Sequence, residues 1–195
     1  FPTDSLVLTV DKEAVRRSGM MIPGDSIPDK MQISLKKAYE RQRGLYRVDI
    51  MIYEMLARTN WKRPMYMSVT LGPNNYAGLE NFLVLEGLAY RITPFNFGTM
   101  RTVDADKMYD NMMKRFVFGN VKAKGIYLDE TVMRMCQTHR RMLCLLAKSL
   151  LDKGETEKAR NVLRKCKEEL PAENIPYEYD DEDIAYLWYQ VGEKK

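Results

Sequence analysis

The chain has 195 residues, of which 45% are apolar and 30% are charged. This composition excludes fibrous, disordered and disulfide-scaffold proteins, and no apolar run approaches the roughly 18 residues that a membrane-spanning helix needs. The net charge of +4 is too small for the strong field of a dedicated nucleic-acid binder, so we expect no nucleic-acid partner.

The first part of the chain alternates apolar and polar residues in three segments, at 6–10, 31–35 and 65–70. This two-residue period predicts strands. Glycine and proline residues at 19–28 indicate a loop between the first two strands. An amphipathic helix that ends near Asn60 is predicted before the third strand, because apolar residues recur at helical spacing at Leu45, Val48, Ile52, Met55 and Leu56.

A second helix is predicted over 77–87, because Leu79, Phe82 and Leu83 share one face and Gly87 can supply a left-handed cap. A further strand follows at 88–92. Strands that alternate with helices favour an α/β or α+β fold. We therefore expect residues 1–100 to form a small subdomain with a mainly parallel sheet and crossover helices.

The second half of the chain has a helical period throughout. Asp104 is a predicted N-cap for a helix that runs to about Phe118. Asp129 is the predicted N-cap of a long helix, whose apolar stripe steps by three and four through Val132, Met135, His139, Met142, Leu146 and Leu150. A turn at Gly154 separates it from a third helix that ends before Pro171.

The last two of these helices fit one tetratricopeptide-like unit. Its small residues, which let two helices approach closely, are Ala147, Ala159 and Cys166. A further helix start is predicted at Ile184, Leu187 and Trp188. A single unit cannot bury its own apolar face. Residues 101–195 are therefore predicted to form a helical, tetratricopeptide-like subdomain.

Asparagines follow two of the predicted parallel strands. Ligands of open parallel sheets bind beyond the carboxyl ends of the strands. Amide groups both donate and accept hydrogen bonds, so Asn74, Asn75 and Asn96 are candidates to bind a hydroxyl-rich ligand. The alternative is that they only build turns. Further candidates for contact with a ligand or partner are Trp61, Arg63 and Arg91.

Neither a catalytic residue nor a cofactor or metal site is predicted. The chain lacks the GxGxxG, GxxxxGK[ST] and GxSxG fingerprints of dinucleotide, nucleotide and hydrolase sites. His139, the only histidine, lies on an apolar helix stripe, where it is either structural or a titrating base. Cys136 and Cys144 lie about 12 Å apart along one helix, so they cannot form a disulfide with each other.

Two charged segments have open interpretations. A basic stretch is either solvated or in contact with phosphate or anionic lipid headgroups, and comprises Lys36, Lys37, Arg41, Arg43 and Arg47. The run 177–183 is either a solvated acidic linker or a partner-binding strip. The chain opens with Phe1-Pro2 and no targeting segment, from which we expect a piece of something longer.

Two segments, residues 61–66 (WKRPMY) and 83–94 (LVLEGLAYRITP), resemble the C-terminal soluble region of a bacterial family of large polytopic membrane proteins. Residues 127–159 are similar to the helical tail of the same family. Its members look like membrane-embedded glycosyltransferases that use lipid-linked sugars. The resemblance implies an extramembrane domain on the periplasmic side, appended to a transmembrane catalytic part whose residues are not in this sequence.

The leading expectation is therefore a non-catalytic accessory or interaction domain of a membrane glycosyltransferase-like protein. Its partners would be the transmembrane part of the same parent chain and a protein or glycan acceptor. Two alternatives stay open at this point. One is a stand-alone tetratricopeptide-like adaptor that binds a peptide or protein, and the other is a small sugar-binding α/β domain.

Overall fold

The computed structural model describes residues 4–36, 44–98, 102–177 and 182–192. It contains two compact units, Phe1–Asp104 and Ala105–Lys195. We describe each unit by itself. None of the helices in the described parts of the chain is long and apolar enough to cross a membrane.

The first unit begins with a two-stranded antiparallel sheet of β1 (Ser5–Thr9) and β2 (Lys30–Ser34). Between these strands lies a short helix, α1 (Lys12–Arg17), which the sequence pattern does not predict. Its N-cap is Asp11, whose carboxylate accepts a hydrogen bond from the Ala14 N–H. This bond satisfies one of the free N–H groups in the first turn of the helix.

A second sheet has the strand order β3–β5–β4, with β3 at Tyr66–Ser68, β4 at Leu83–Leu85 and β5 at Ala89–Ile92. Both strand pairs are antiparallel, so the expectation of a mainly parallel sheet is wrong. Only three residues join β4 to β5, whereas a parallel pair needs a crossover of about a dozen residues or more. One isolated parallel bridge joins Leu85 to Val103.

The helix predicted over 77–87 is also wrong. This part of the chain forms a 3₁₀ turn at Glu80–Phe82 and then enters β4. The backbone is left-handed at Ala77 (φ 52°) and Gly78 (φ 72°), which ends any helical path there. All three residues of β4 are buried, and a short, fully apolar run has no period that distinguishes a strand from a helix.

Helix α2 (Arg47–Thr59) is confirmed near its predicted position. At its start, the buried Asp49 carboxylate accepts a hydrogen bond from the Tyr46 N–H at 2.9 Å. It ends at Asn60, which is left-handed and whose side chain accepts a hydrogen bond from the Asp11 N–H. Tyr53 and Leu56 face the core of the first unit.

The second unit starts with α3 (Ala105–Asp110), which continues into a single wider π turn at Asn111–Arg115. The predicted helix from Asp104 to Phe118 is therefore shorter than expected. The Phe116 N–H bonds to the carbonyl of Asn111, five residues back, and Phe116 itself has left the helix. Met108 and Met112 are fully buried and fix this segment in the core.

A helical hairpin forms most of the second unit. It consists of α4 (Glu130–Asp152) and α5 (Thr156–Glu169). The predicted N-cap is confirmed, since the Asp129 carboxylate accepts a hydrogen bond from the Val132 N–H at 2.9 Å. Gly154 lies in the turn with a φ of 76°. The two helices bury a shared apolar seam of Leu143, Leu146, Ala147, Leu150, Ala159, Val162, Leu163 and Cys166.

A further helix, α6 (Glu182–Gln190), packs against α4. It buries Ile184 and Leu187, and Val191 just after its end. The spacing of three and four residues places these side chains on one face of the helix. The opposite face is left to solvent.

Candidate functional site

Two buried charged residues define a cluster in the first unit. Arg91 on β5 and Glu86, in the turn after β4, are both almost fully buried, and their side chains approach to 3.5 Å. The hydroxyl of Tyr66 on β3 donates a hydrogen bond to Glu86 Oε2 at 2.9 Å. Arg91 Nη2 donates to the Ser18 carbonyl at 2.9 Å. The cluster therefore ties the second sheet to the segment after α1.

The cluster reaches solvent through Tyr66, which is about half exposed. The Arg91 guanidinium lies 5.9 Å from the centre of the Tyr66 ring. Desolvation, followed by the hydrogen bond to Glu86, raises the pKa of the Tyr66 phenol above its ordinary value. The phenol therefore keeps its proton near neutral pH and acts as a hydrogen-bond donor to the carboxylate.

The second unit contains its own buried guanidinium, at Arg140 on α4. Its Nη2 donates to the carbonyls of Leu170 (3.0 Å) and Ile175 (2.5 Å), and its Nη1 donates to the carbonyl of Pro176 (3.0 Å). The ring of Tyr177 stacks on it at 4.6 Å. Arg140 thus satisfies the carbonyls at the end of α5 and in the segment that follows.

A shallow groove lies beside this guanidinium. It encloses about 10 Å³, which is space for one water molecule, and is lined by Arg140, Leu163, Cys166, Lys167, Leu170, Tyr177, Ile184 and Trp188. The groove therefore brings together α4, α5, the segment after α5 and α6. Its rim combines aromatic rings with the exposed Lys167.

The outer face of α6 is aromatic. Tyr186 and Tyr189, three residues apart, are 59% and 65% exposed, on the side of the helix away from Ile184 and Leu187. The Tyr186 hydroxyl accepts a hydrogen bond from the Gln190 side chain. Tyrosine is enriched at protein interfaces, because its ring is apolar and its hydroxyl can form a hydrogen bond. We call Tyr186 and Tyr189 the tyrosine face.

A second exposed face lies on α2 in the first unit. Val48, Met51 and Met55 follow one another at spacings of three and four residues, and all three are exposed. The apolar spacing predicts that Val48 and Met55 pack together with Leu56, and for Val48 and Met55 this prediction is wrong. In the structure, Tyr53 and Leu56 make the packing contacts instead. We call Val48, Met51 and Met55 the α2 stripe.

The comparison with protein families matches residues 1–108 to a model described as TMEM260-associated domain 2. The chain belongs to this family. The match covers all of the first unit and the beginning of α3. Neither the curated proteins nor the solved structures include a significant match to the chain. As its description states, the family is associated with TMEM260, and it is linked to a membrane protein.

In this TMEM260-associated domain, the strand-end asparagines do not lie at one sheet edge. β3 and β5 are antiparallel, so the loops that follow them leave opposite ends of the sheet. Asn74 and Asn75 are exposed in a 3₁₀ turn. Asn96 is exposed, and its side chain accepts a hydrogen bond from the Gly98 N–H within its own loop. Ligand binding by these residues stays a prediction.

The other candidates of the first unit occupy different environments. Trp61 is buried in the core just after α2, with a left-handed backbone (φ 67°). Arg63 is exposed two residues later. Arg91 is the buried member of the cluster with Glu86. Of the six candidates, Arg91 lies in a charged cluster, whereas Asn74 and Asn75 share one 3₁₀ turn and Asn96 lies in another loop.

Sequence reasoning missed Arg140 and the tyrosine face, although a signal exists for each. Arg140 lies on the same helical stripe as Cys136, Leu143 and Ala147, so its burial follows from the spacing. The tyrosines of α6 occupy helix positions between its buried residues, so the helical spacing predicts that they lie on the outer face. An arginine in an apolar stripe indicates a guanidinium that must find buried acceptors.

His139 lies beside the aromatic residues of the second unit. One ring nitrogen is 2.7 Å from the Met135 carbonyl, and the ring makes edge contacts with Phe116 and Phe118. The three cysteines are free thiols. Within the described ranges, no group of His, Cys, Asp or Glu side chains is arranged to hold a metal ion.

Parts of the two charged segments lie outside the described residues. These are Lys37, Arg41 and Arg43 of the basic stretch and residues 178–181 of the acidic run. Lys36 and Arg47 are both described, and both are exposed.

Proposed function

We propose that the chain is a non-catalytic interaction domain of a membrane glycosyltransferase-like protein, on the periplasmic side of its membrane. The second unit acts as a short tetratricopeptide-like array that holds a segment of a partner. The foremost partner is the transmembrane part of the same parent chain. The family match supports the link to a membrane protein, and the α4–α5 hairpin supports the comparison with a repeat.

The observation that carries this proposal is the tyrosine face of α6. Helical repeats stack on their neighbours, and a helix face of such an array that is left to solvent is normally polar. In this chain, the corresponding face of α6 carries two exposed tyrosines. A face of this kind fits another helix that extends the array. We therefore place the partner segment there, as an amphipathic helix.

The bonding of the two buried arginines supports a structural role for both. Arg140 donates hydrogen bonds to three backbone carbonyls, whereas Arg91 donates one to the Ser18 carbonyl and forms an ion pair with Glu86. Their charges are thus used to hold the fold. Binding through an exposed face, rather than chemistry at a buried charge, is the function that this arrangement supports best.

Site-specific photocrosslinking tests the proposal. A benzoylphenylalanine is placed at Tyr186 or Tyr189 in the full-length parent protein, which is irradiated in its native membrane. Tyr127 is the matched control, because it is another exposed tyrosine of the second unit but does not lie on α6. We expect adducts from Tyr186 and Tyr189 that map to one helical segment, and few from Tyr127.

The identity of the adduct separates the two interaction hypotheses. A segment of the parent's own membrane part supports an accessory domain, whereas a segment of another protein supports an adaptor. Equal labelling from all three positions, or no adduct from α6, would contradict the proposed role of the tyrosine face.

A further inference from the structure

We propose that the α2 stripe, together with the basic residues at both ends of α2, is a binding surface for an anionic lipid bilayer. This surface belongs to the first unit. It shares no residue with the tyrosine face, so either proposal can fail without the other.

The geometry of α2 is that of a helix packed on one side only. Val48, Met51 and Met55 are 56%, 62% and 46% exposed. Tyr53 and Leu56 bury the opposite side in the core. A helix of 13 residues is about 20 Å long, so the stripe can lie flat along a surface. Apolar side chains on such a face insert at the boundary between headgroups and acyl chains.

Two further apolar side chains near the start of the helix are exposed. These are Tyr46 and Ile50, which each lie two residues from Val48 and therefore outside the α2 stripe. Tyrosine is enriched at membrane–water interfaces, because its ring enters the apolar layer while its hydroxyl stays hydrated. The exposed apolar side chains of α2 are therefore of the types that interfacial helices use.

Positive charge is concentrated in the same part of the sequence. Residues 30–63 contain nine basic and three acidic residues, a net charge of +6, whereas the whole chain has +4. The remaining residues therefore have a net charge of −2. Among the described residues, Arg47 lies at the start of α2, and Lys62 and Arg63 lie just beyond its end, all exposed.

The acidic residues of α2 do not oppose this charge on the stripe. The Asp49 side chain is buried and bonded to the Tyr46 N–H. Glu54 pairs with Arg58 one turn later, at 2.6 Å. The exposed surface at the ends of the helix is thus left with basic groups, which attract anionic headgroups.

Charge complementarity indicates which partner binds the α2 stripe and the basic ends of α2. Two copies of this chain would bring two basic surfaces together, which repels. An anionic bilayer supplies the apolar layer for the stripe and the phosphates for the basic ends in one surface. The family's link to a membrane protein is consistent with a bilayer close to this domain.

Vesicle co-sedimentation of the whole chain tests this inference. One set of vesicles contains phosphatidylcholine only, and in the other about a third of the lipid is phosphatidylglycerol. We expect binding to the anionic vesicles that weakens as salt is raised, and little binding to the neutral ones.

Two variants separate the apolar and the charged contributions. Met51→Gln with Met55→Gln removes most of the apolar contact, and Arg47→Gln with Arg63→Gln removes one positive charge from each end of α2. Each is expected to weaken binding about tenfold. The control is Val117→Gln with Lys124→Gln, since both residues are exposed in the second unit. It is expected to bind as the unchanged chain does, within about twofold.

All the substituted residues are exposed, so the fold is expected to be retained, and circular dichroism verifies this. Absence of binding to anionic vesicles would overturn the inference, as would an equal loss of binding in the control. A stripe that instead joins two copies would show as a dimer in sedimentation that Met51→Gln dissolves, and this result would also overturn it.

Discussion

Replacement of Arg140 tests whether the buried guanidinium holds the second unit together. Hydrogen bonds to a charged group contribute about 1.5–3 kcal/mol each, and a buried carbonyl that loses its donor costs about 1–3 kcal/mol. Leu170 and Ile175 are buried, whereas Pro176 is exposed, so two carbonyls would lack a substitute from water. We expect Arg140→Met to destabilise the second unit by about 3–5 kcal/mol.

Tryptophan fluorescence during urea unfolding measures this effect in the whole chain. The chain has two tryptophans, and a Trp61→Phe background leaves Trp188, in the second unit, as the probe. With a slope of about 1–1.5 kcal/mol per molar urea, the midpoint is expected to fall by about 2–5 M. Arg140→Lys keeps a charge but has no planar fork, so we expect about half of this loss.

The unchanged chain in the same background is the reference. A destabilisation by Arg140→Met of less than about 1 kcal/mol would refute the reasoning, because it would mean that the carbonyls need no guanidinium. Equal midpoints for the methionine and lysine variants would show that packing, and not charge, makes the contribution.

Further predictions concern three local features. In the first unit, Gly78→Ala is expected to destabilise by about 1–3 kcal/mol, because φ is 72° and the new Cβ would lie 3.1 Å from a backbone oxygen; Gly72→Ala, at φ −67°, is the tolerated control in thermal unfolding. Asp129→Ala removes the N-cap and is expected to lower the free energy of unfolding by about 1 kcal/mol, measured by urea unfolding. Asp129→Asn is expected to retain most of the stabilisation that the N-cap provides. The pKa of Tyr66 is raised above 10.0, so the folded state holds this proton more tightly than the unfolded chain. Its contribution to stability is therefore present below pH 10 and lost as the pH rises further. Ultraviolet titration compares the unchanged chain with Tyr66→Phe. The phenol that the variant lacks is expected to titrate above the ordinary pKa of tyrosine, and titration of this phenol at the ordinary value would contradict the cluster with Glu86.

Features with a clear local cause could be predicted from the sequence. Asp129 is an N-cap because its side chain meets free N–H groups, and Gly154 lies in a turn that needs a positive φ. Alternation over β1 and β2 was sufficient to find both strands. The pairing direction of the strands could not be read in this way, because it depends on which segments meet after folding.

The exposure of the α2 stripe is a second feature that could not be predicted from sequence alone. Apolar residues occupy more than one face of α2, and sequence alone does not state which face is packed. Tertiary packing selected Tyr53 and Leu56, which left Met51 and Met55 exposed. The surface that we propose to bind a bilayer is thus the part of the helix that the apolar pattern could not assign.

The candidate asparagines show how a site argument depends on topology. Asn74, Asn75 and Asn96 were grouped on the assumption of parallel strands, and antiparallel β3 and β5 remove that grouping. Arg91 was named from the sequence without its partner, Glu86. The ion pair of Arg91 and Glu86 can be recognised only when β4 and β5 are known to be adjacent and the pair is known to be buried. Burial matters because it determines how much an ion pair contributes to stability.

Hydroxyl-radical footprinting most directly tests the central claim that this chain acts through exposed docking faces. Side-chain oxidation is compared between the isolated chain and the full-length parent in its native membrane. The account predicts that Met51 and Met55 on α2 and Tyr186 on α6 become protected in the parent, while Tyr127 is oxidised equally in both. Equal oxidation of all four residues in the two samples would contradict it.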